Sequence, residues 1–210
     1  MMYLWTCFVS LLMAAIGCYL LKKLEVCDND SFFHFNRRDT IFFAIFLNIS
    51  LIVLIHKNEK NLDFQLIYIC FFFWHLYLTA WMDFHTMKVY RSSSVVICFL
   101  GMMNLIFQNP SMERIIGLIL YIICMFVFAK KNLFGAGDSG IFMAVALCLA
   151  SLEYQNFTIT ILLIHNIFSS VIFIILNARH IQFCKMKLKK EIAFAPSIAI
   201  AAWIMIVLCF

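Results

Sequence analysis

The chain has 210 residues, of which 65% are hydrophobic and only 13% are charged, and its formal net charge is +5. A soluble domain of this length needs many more polar side chains to cover its surface, so the composition excludes a soluble protein and indicates an integral membrane protein. The basic charge does not indicate a nucleic-acid partner, because no loop combines basic residues with spaced aromatic residues that could stack bases.

The apolar residues fall into about eight blocks of membrane-spanning size, which predicts an all-α polytopic bundle of six to eight transmembrane helices, with eight favoured. The blocks are Met2–Leu21, Ile41–Ile55, Phe64–Met82, Val95–Phe107, Ile115–Ala129, Ile141–Leu152, Phe157–Leu176 and Ile192–Phe210. The shorter blocks must borrow polar neighbours or form a re-entrant pair. No linker rich in Pro, Gly or Ser interrupts the chain, so residues 1–210 are expected to form one membrane domain.

The first block also has features of a cleaved signal peptide, since Ala14, Ala15 and Gly17 resemble a cleavage site. No basic stretch precedes the block, however, and Lys22 and Lys23 follow it. We therefore expect a retained first helix.

The nine cysteines include no C-x-x-C pair, and most of them lie within or beside apolar blocks. Buried cysteine usually behaves as a small hydrophobic residue. The sequence therefore predicts no zinc or other metal site, no cofactor and no disulfide framework.

The Lys and Arg residues are divided unequally between the predicted loops. If all eight helices are present, 13 of the 16 lie on odd-numbered loops, and only Lys57, Lys60 and Arg114 lie on even-numbered ones. Short loops rich in basic residues stay on the cytoplasmic side of a membrane. This asymmetry predicts cytoplasmic odd-numbered loops, with both chain ends outside and the remaining basic charge near lipid headgroups.

Two of the eleven carboxylates stand apart from those in polar loops or at helix boundaries. Asp83 ends an apolar run in which no charged residue occurs from Phe64 to Met82. Asp138 lies in the segment Gly135–Gly140, which contains three of the six glycines. Two predicted crossings separate the two aspartates, so both are expected at the cytoplasmic face at similar depth.

The glycines Gly135, Gly137 and Gly140 permit a close approach of neighbouring chain segments. Gly140, Ala144 and Cys148 also recur every four residues and form a small-residue face of the kind that packs transmembrane helices closely. We expect this face to hold Asp138 against the helix that carries Asp83.

Two interpretations of Asp83 and Asp138 follow from the residues alone. Both could be polar caps at helix ends, a position that aspartate favours. Charged groups near spans are often functional, however, and two carboxylates that meet in a dry site share a proton. The ionised carboxylate can then deprotonate a water while the protonated one polarises a carbonyl, which is the chemistry of aspartic proteases.

Three segments, in this order, resemble those of the type IV prepilin peptidases. Ala80–Tyr90 is similar to the first catalytic segment, Gly135-Ala136-Gly137-Asp138 is similar to the GxGD signature of membrane aspartic proteases, and Ile192–Ser197 is similar to the segment that opens the last helix. The resemblance extends from about Phe71 onward.

This resemblance implies an aspartic endopeptidase that removes the short basic leader from prepilin-like precursors. It implies Asp83 and Asp138 as the catalytic dyad, with Gly135, Gly137 and Gly140 as supporting residues. The implied location is the bacterial inner membrane, with the site facing the cytoplasm.

The chain departs from the family pattern at several positions. Val89-Tyr90-Arg91 stands in place of Ile-Pro-Asn, Gly140 occupies a position where lysine is common, and Ala193 and Ala195 replace a proline and a glycine. The stretch Lys22–Thr40 contains the single Cys27 instead of two C-x-x-C pairs that bind zinc. The resemblance is therefore to a compact form, and it implies peptidase activity while leaving N-methylation open.

Three histidines need separate interpretation. His85 is expected to be an incidental loop residue rather than a group that tunes Asp83. His75 and the pair His165-Asn166 lie in predicted spans, where interhelical hydrogen bonds explain them better than ligation.

Two alternative functions remain. A protease of the signal peptide peptidase or presenilin type fits less well, because this chain has Met82-Asp83 and Ala195-Pro196-Ser197 where that group has Tyr-Asp and Pro-Ala-Leu. A non-enzymatic pilus-assembly scaffold or small proton-coupled transporter would retain carboxylates for packing or proton transfer. It predicts that precursor processing survives loss of either aspartate.

Overall fold

The computed structural model describes 64–86, 89, 91–108, 110–131, 133–151, 159–178, 181–182, 187–188 and 193–209, together with individual positions between 8 and 56. The individual positions are all helical, in agreement with the first two predicted helices. Six further helices follow: α1 (Phe64–Thr86), α2 (Arg91–Gln108), α3 (Met112–Lys130), α4 (Ala136–Ser151), α5 (Ile159–Asn177) and α6 (Ala195–Cys209).

Several helices extend further into polar sequence than the apolar blocks, whereas α6 begins at Ala195, later than the predicted Ile192. Helix α1 continues to Thr86 instead of ending at Met82, α2 begins at Arg91 and α4 begins at Ala136. Hydropathy marks only the part of a helix that needs an apolar environment, whereas the backbone hydrogen bonds continue beyond it. As a result both Asp83 and Asp138 lie in terminal turns of helices, outside the apolar runs.

A small hairpin between α5 and α6 departs from the all-α prediction. Strands β1 (Ile181–Gln182) and β2 (Lys187–Leu188) pair antiparallel, with Ile181 opposite Leu188. The hairpin lies in the loop predicted to be the most basic one. Apart from these four residues, the assigned elements are helical, which confirms the helical class.

Helix α4 is the central helix of the described part of the chain. It is apolar on all sides, as expected for a helix surrounded by others, and twelve of its sixteen residues are buried. Helices α2, α3, α5 and α6 all contact it, and α1 packs against α2 and α6. The core cluster contains the fully buried Phe72, Ile97 and Phe142.

The small-residue face of α4 packs mainly against α2. A Cβ on Gly101 of α2 would lie 2.6 Å from the Leu147 Cβ and 3.5 Å from the Ala144 carbonyl oxygen, so this crossing requires a glycine. The prediction named α1 as the partner of this face, but α1 reaches it mainly through a side chain, Tyr68 beside Cys148. Helix α2 therefore connects the two aspartate-bearing helices.

Helices α3 and α5 present apolar surfaces to the outside. In the described part of the chain these two, Met112–Lys130 and Ile159–Asn177, are long and apolar enough to cross a membrane. Large side chains such as Ile119, Ile123 and Ile167 are about half or more exposed on them. The shorter apolar helices are Ser93–Ile106, Ala136–Ser151 and Ala195–Leu208.

Candidate active site

Asp83 is a buried carboxylate in the last turn of α1, with 4% of its surface exposed. Its Oδ2 accepts a hydrogen bond of 2.9 Å from the backbone N–H of Ala195, the first residue of α6. The carboxylate is thus at the C-terminal end of its own helix, where a negative charge is unfavourable, and at the N-terminal end of another, where it is favourable. The last helix of the chain therefore holds Asp83 in place.

Asp138 lies in the first turn of α4 and is half-buried. Helix α4 opens with a hydrogen bond of 2.9 Å from the Ser139 N–H to the Gly135 carbonyl. The Asp138 carboxylate folds back over this opening, because its Oδ2 lies 2.9 Å from the position that a Cβ on Gly135 would occupy. A side chain at position 135 would therefore displace the Asp138 carboxylate from this position.

The two carboxylates influence each other electrostatically, which places them in one site. Burial raises the pKa of Asp138 to about 7, and repulsion by Asp83 adds to the rise. Burial also raises the pKa of Asp83, while hydrogen bonds from the backbone N–H groups of Ala195 and Phe194 oppose that rise by stabilising the charged form. Near neutral pH the arrangement therefore favours an ionised Asp83 beside an Asp138 that retains its proton for part of the time.

Val89, between α1 and α2, and Ser94, near the start of α2, pack tightly against the start of α4. A Cβ on Gly137 would lie 2.5 Å from the Val89 Cβ, and a Cβ on Gly140 would lie 3.0 Å from the Ser94 Cβ. Carbon atoms in normal contact are about 3.5 to 4.0 Å apart. Gly137 therefore allows Val89, and Gly140 allows Ser94 of α2, to reach the helix of Asp138.

A cluster of hydroxyl groups joins α1 to α2 one turn before Asp83. Thr79 Oγ1 and Ser93 Oγ are hydrogen-bonded, and Ser93 Oγ also lies 3.3 Å from His75 Nε2. The adjacent Ser94 packs against Gly140 of α4. Neighbouring serines thus contact the two aspartate-bearing helices, which fixes the spacing between them.

Aromatic rings connect the segment before Asp138 with the segment that binds Asp83. The rings of Phe134 and Phe194 are stacked, with centroids 5.9 Å apart and an interplanar angle of 15°. Phe194 also contacts Phe142 at 5.8 Å and Phe173 at 4.8 Å. Phe194 directly precedes Ala195, so the ring cluster positions the backbone donor of Asp83 relative to the loop of Asp138.

Comparison with known proteins identifies the family of this arrangement. The sequence profile of the type IV leader peptidase family matches residues 70–179, just over half of the chain, and the match includes both aspartates and all three neighbouring glycines. The chain belongs to the type IV leader peptidase family. It is therefore a member of a family of membrane peptidases. No curated protein and no solved structure matches the chain.

The departures from the type IV leader peptidase pattern have structural explanations. Val89, which begins the turn without proline, supplies the contact to Gly137. Gly140, in place of the common lysine, leaves room for Ser94. Ala195, in place of a glycine, keeps the backbone N–H that binds Asp83. Each of these three residues thus makes or permits a contact within the site.

The interhelical role predicted for the histidines is confirmed for two of them. His165 Nε2 lies 3.3 Å from the Ile198 carbonyl oxygen of α6, and its neighbour Asn166 accepts a hydrogen bond of 2.6 Å from the Tyr121 hydroxyl of α3. His75 contacts Ser93 of α2. His85 lies in α1 rather than in a loop, and its ring lies 5.1 Å from that of Trp81.

The residues that could hold a metal are few in this site. Among the described residues, no three side chains of His, Cys, Asp or Glu lie close enough together to form a metal site. The described Cys70, Cys98, Cys124 and Cys148 carry free thiols.

Sequence reasoning did not identify the contributions of Ala195, Phe194, Phe134 and Ser93 to the site. The segment Ile192–Ser197 was identified as the start of the last helix, but nothing in it indicated a backbone donor for Asp83. A main-chain N–H has no residue type of its own, so only the packing of α6 against α1 reveals it.

Two cavities lie near the helix ends that carry the carboxylates, although neither Asp83 nor Asp138 lines them. The Asp83-side pocket, of about 240 Å³, lies between α1 and α6 and is lined by Ala80, Trp81, Phe84 and Pro196 among others. A larger lateral groove of about 790 Å³ lies on the side of Asp138, bordered by Val89 and helices α2, α3 and α4. Both are lined mostly by apolar side chains, so each is suited to an apolar partner.

Proposed function

We propose that this chain is a membrane aspartic endopeptidase that removes the short basic leader from type IV prepilin-like precursors. Asp83 and Asp138 form its catalytic dyad, and Gly135, Gly137 and Gly140 support the geometry. The observation that carries the proposal is the pair of carboxylates itself, buried together within the segment that matches a leader peptidase family.

The two carboxylates have different surroundings, and we assign them different roles. Asp83 accepts the Ala195 N–H at the start of a 15-residue helix, an environment that stabilises its charged form. Burial and the repulsion of Asp83 both favour the protonated form of Asp138. Asp83 is therefore the base and Asp138 the acid at the beginning of the reaction.

The hydrolysis then proceeds without a covalent intermediate. Asp83 takes a proton from a water whose oxygen attacks the scissile carbonyl carbon, while Asp138 gives its proton to the carbonyl oxygen. The tetrahedral diol collapses as the C–N bond breaks. The amine takes the proton held by Asp83, the new carboxyl group returns a proton to Asp138, and the dyad is ready for another cycle.

The membrane arrangement belongs to the same proposal. An eight-helix polytopic bundle in the bacterial inner membrane would place both aspartates at the cytoplasmic face, because basic residues are concentrated on the odd-numbered loops. Precursors with a basic leader and a hydrophobic helix would then present the bond between these two parts at the depth of the dyad.

The scaffold or transporter alternative makes a different use of the same contacts. The bond from Ala195 to Asp83 would then serve only to join α6 to α1. Co-expression with prepilin-like precursors from the same genetic neighbourhood, followed by intact-mass measurement, separates the two. Leader removal that depends on this protein is the expected result, and the same spectrum reports any added methyl group. Precursors that keep their leader would favour the scaffold.

A further inference from the structure

The lateral groove is a gap between helices α2 and α3. Helices α2 and α3 both pack against α4, but they touch each other at no more than a few positions, so α4 forms the floor between two walls. The wall on α2 is a stripe along one side of that helix, formed by Ser94, Val95, Cys98, Phe99 and Met102. With a rise of 1.5 Å per residue, this stripe is about 12 Å long, which is slightly more than two helical turns.

The floor of the groove consists largely of small residues from the first turns of α4. Ala136, Gly137, Ser139 and Gly140 line it, and Asp138 lies among them in the sequence. Small residues let another helix approach closely, as in the interfaces of transmembrane helices. The far end of the groove is apolar, with Met102 and Met143 on its two sides.

The polar groups of the groove are concentrated at the Asp138 end. The hydroxyl groups of Ser94 and Ser139 are buried and have no hydrogen-bond partner among the described residues. Ser139 is completely buried and Ser94 is 8% exposed. A buried hydroxyl without a partner is costly, so a donor or acceptor from outside the chain is expected near them.

We propose that the lateral groove binds the first turns of the hydrophobic helix that follows the scissile bond of the precursor. Ser94 and Ser139 then contact the main chain of the residues that must be unwound for cleavage. This inference rests on the proposed function, and it adds the side from which the substrate reaches the dyad.

The polarity of the groove favours a peptide over a lipid chain. A lipid tail would fill the apolar end of the groove but leave the hydroxyl groups of Ser94 and Ser139 without hydrogen bonds. A precursor helix whose N-terminus lies near Asp138 has backbone N–H groups without intrahelical partners. Hydroxyl oxygens can accept hydrogen bonds from these groups. Ser139, which lines the groove, directly follows Asp138 in the first turn of α4, so a peptide in the groove would lie near the proposed dyad.

Photo-crosslinking tests the groove directly. A benzophenone amino acid replaces Phe99 in the groove or Phe84 in the Asp83-side pocket, both of which are 58% exposed, in an Asp138→Asn background that keeps the precursor uncut. Phe168 on α5, outside both cavities, is the background control. The probe is a prepilin-like precursor that the wild-type protein processes, and mass spectrometry maps the captured residues.

Capture of the hydrophobic segment from position 99, but not from positions 84 or 168, is the expected result. Three results would overturn the groove assignment while processing still supports the enzyme. They are capture from position 84 alone, equal capture from all three positions, and adducts at position 99 made only with lipid or with a second copy of this chain. If the wild-type protein processes no precursor at all, the proposed function falls, and the groove assignment falls with it.

A groove-filling variant gives a second, kinetic test. Ala129→Leu narrows the groove from α3, and it should raise the KM of the full precursor about tenfold through overpacking. A short peptide that spans the cut but lacks the hydrophobic helix should be cleaved with an unchanged kcat. A loss of activity on both substrates would indicate general damage to the fold and would contradict a role specific to the helix.

Discussion

The Asp83 carboxylate accepts a hydrogen bond of 2.9 Å from the backbone N–H of Ala195, a residue 112 positions later in the chain. This bond makes the N-terminus of the last helix part of the candidate active site. It also distinguishes the two aspartates, because the backbone N–H groups that stabilise a negative charge point at Asp83, while Asp138 is influenced mainly by burial and by the charge of its neighbour.

The first prediction concerns that bond. Ala195→Pro deletes the N–H, and proline is tolerated at the first position of a helix. Without the donor the pKa of Asp83 should rise further, so the acidic limb of the pH–rate profile should shift to higher pH, with a loss of about tenfold or more in kcat/KM on that limb. Ala195→Gly keeps the N–H and is the matched control. Identical acidic limbs for the two variants would contradict the assignment of Asp83 as the base.

The second prediction concerns the contact between Gly137 and Val89. A Cβ at position 137 would lie 2.5 Å from the Val89 Cβ, so Gly137→Ala should force the α1–α2 turn away from α4. We expect destabilisation of about 1 to 3 kcal/mol and a loss of activity that Val89→Gly, which removes the clashing atom, partly restores. Thermal unfolding in detergent and precursor cleavage measure the two effects.

Gly117 provides the control for that experiment. No atom lies within 4 Å of a Cβ placed there, and the residue is inside α3. Gly117→Ala should leave cleavage unchanged and stabilise the helix by roughly 0.5 to 1 kcal/mol. Equal effects of alanine at positions 117 and 137 would show that the contact with Val89 has no special importance.

The third prediction follows from the raised pKa of Asp138, about 7 against an ordinary value near 4. Between these two pH values the unfolded chain releases a proton that the folded protein keeps, so the free energy of unfolding should fall as pH rises from about 4 to about 7. Asp138→Asn removes this dependence and should be more stable than the wild type at pH 8. Parallel pH profiles of thermal unfolding for the wild type and Asp138→Asn would contradict this prediction.

Loss of the Asp138 proton should limit catalysis at alkaline pH. The wild-type kcat/KM is expected to decline above about pH 7, as Asp138 loses the proton that polarises the scissile carbonyl. An activity that stays constant from pH 7 to 9 would mean that Asp138 is not the acid.

The fourth prediction tests the stacked rings of Phe134 and Phe194. Phe194→Ala should cost about 3 kcal/mol of stability, because the ring contacts three other phenylalanines. In a double-mutant cycle with Phe134→Ala, a coupling of about 0.5 to 1.5 kcal/mol is expected. Phe194→Leu should recover part of the stability, and cleavage should follow the same order. Additive losses would show that the rings do not connect the two loops.

The sequence predicted the main features of this fold because they depend on composition and spacing. Apolar blocks located the helices, and the absence of charge before Asp83 and the glycines around Asp138 marked the two carboxylates. Counting crossings between the aspartates placed them on the same side. The structure brings them into one site, where the charge of one shifts the pKa of the other.

The sequence could not predict contacts made by groups that every residue has. The donor to Asp83 is a main-chain N–H, and the cluster of Thr79 with Ser93 depends on how α1 and α2 are rotated toward each other. The position of Gly140 was noted as a departure from the family, but the Ser94 side chain that fills the space is known only from the packing. The end of α1 and the starts of α2 and α4 also lie outside the predicted blocks, since backbone hydrogen bonding continues past the apolar residues.

The most direct test of the dyad compares wild-type protein with Asp83→Asn and Asp138→Asn at matched membrane levels. Each substitution keeps the size of the side chain and removes the ability to cycle between a carboxylate and a carboxylic acid. Leader removal from a co-expressed prepilin-like precursor is followed by intact mass. The account predicts that the wild type cleaves and that both variants leave the precursor whole, whereas efficient processing by either variant would contradict the two-aspartate mechanism.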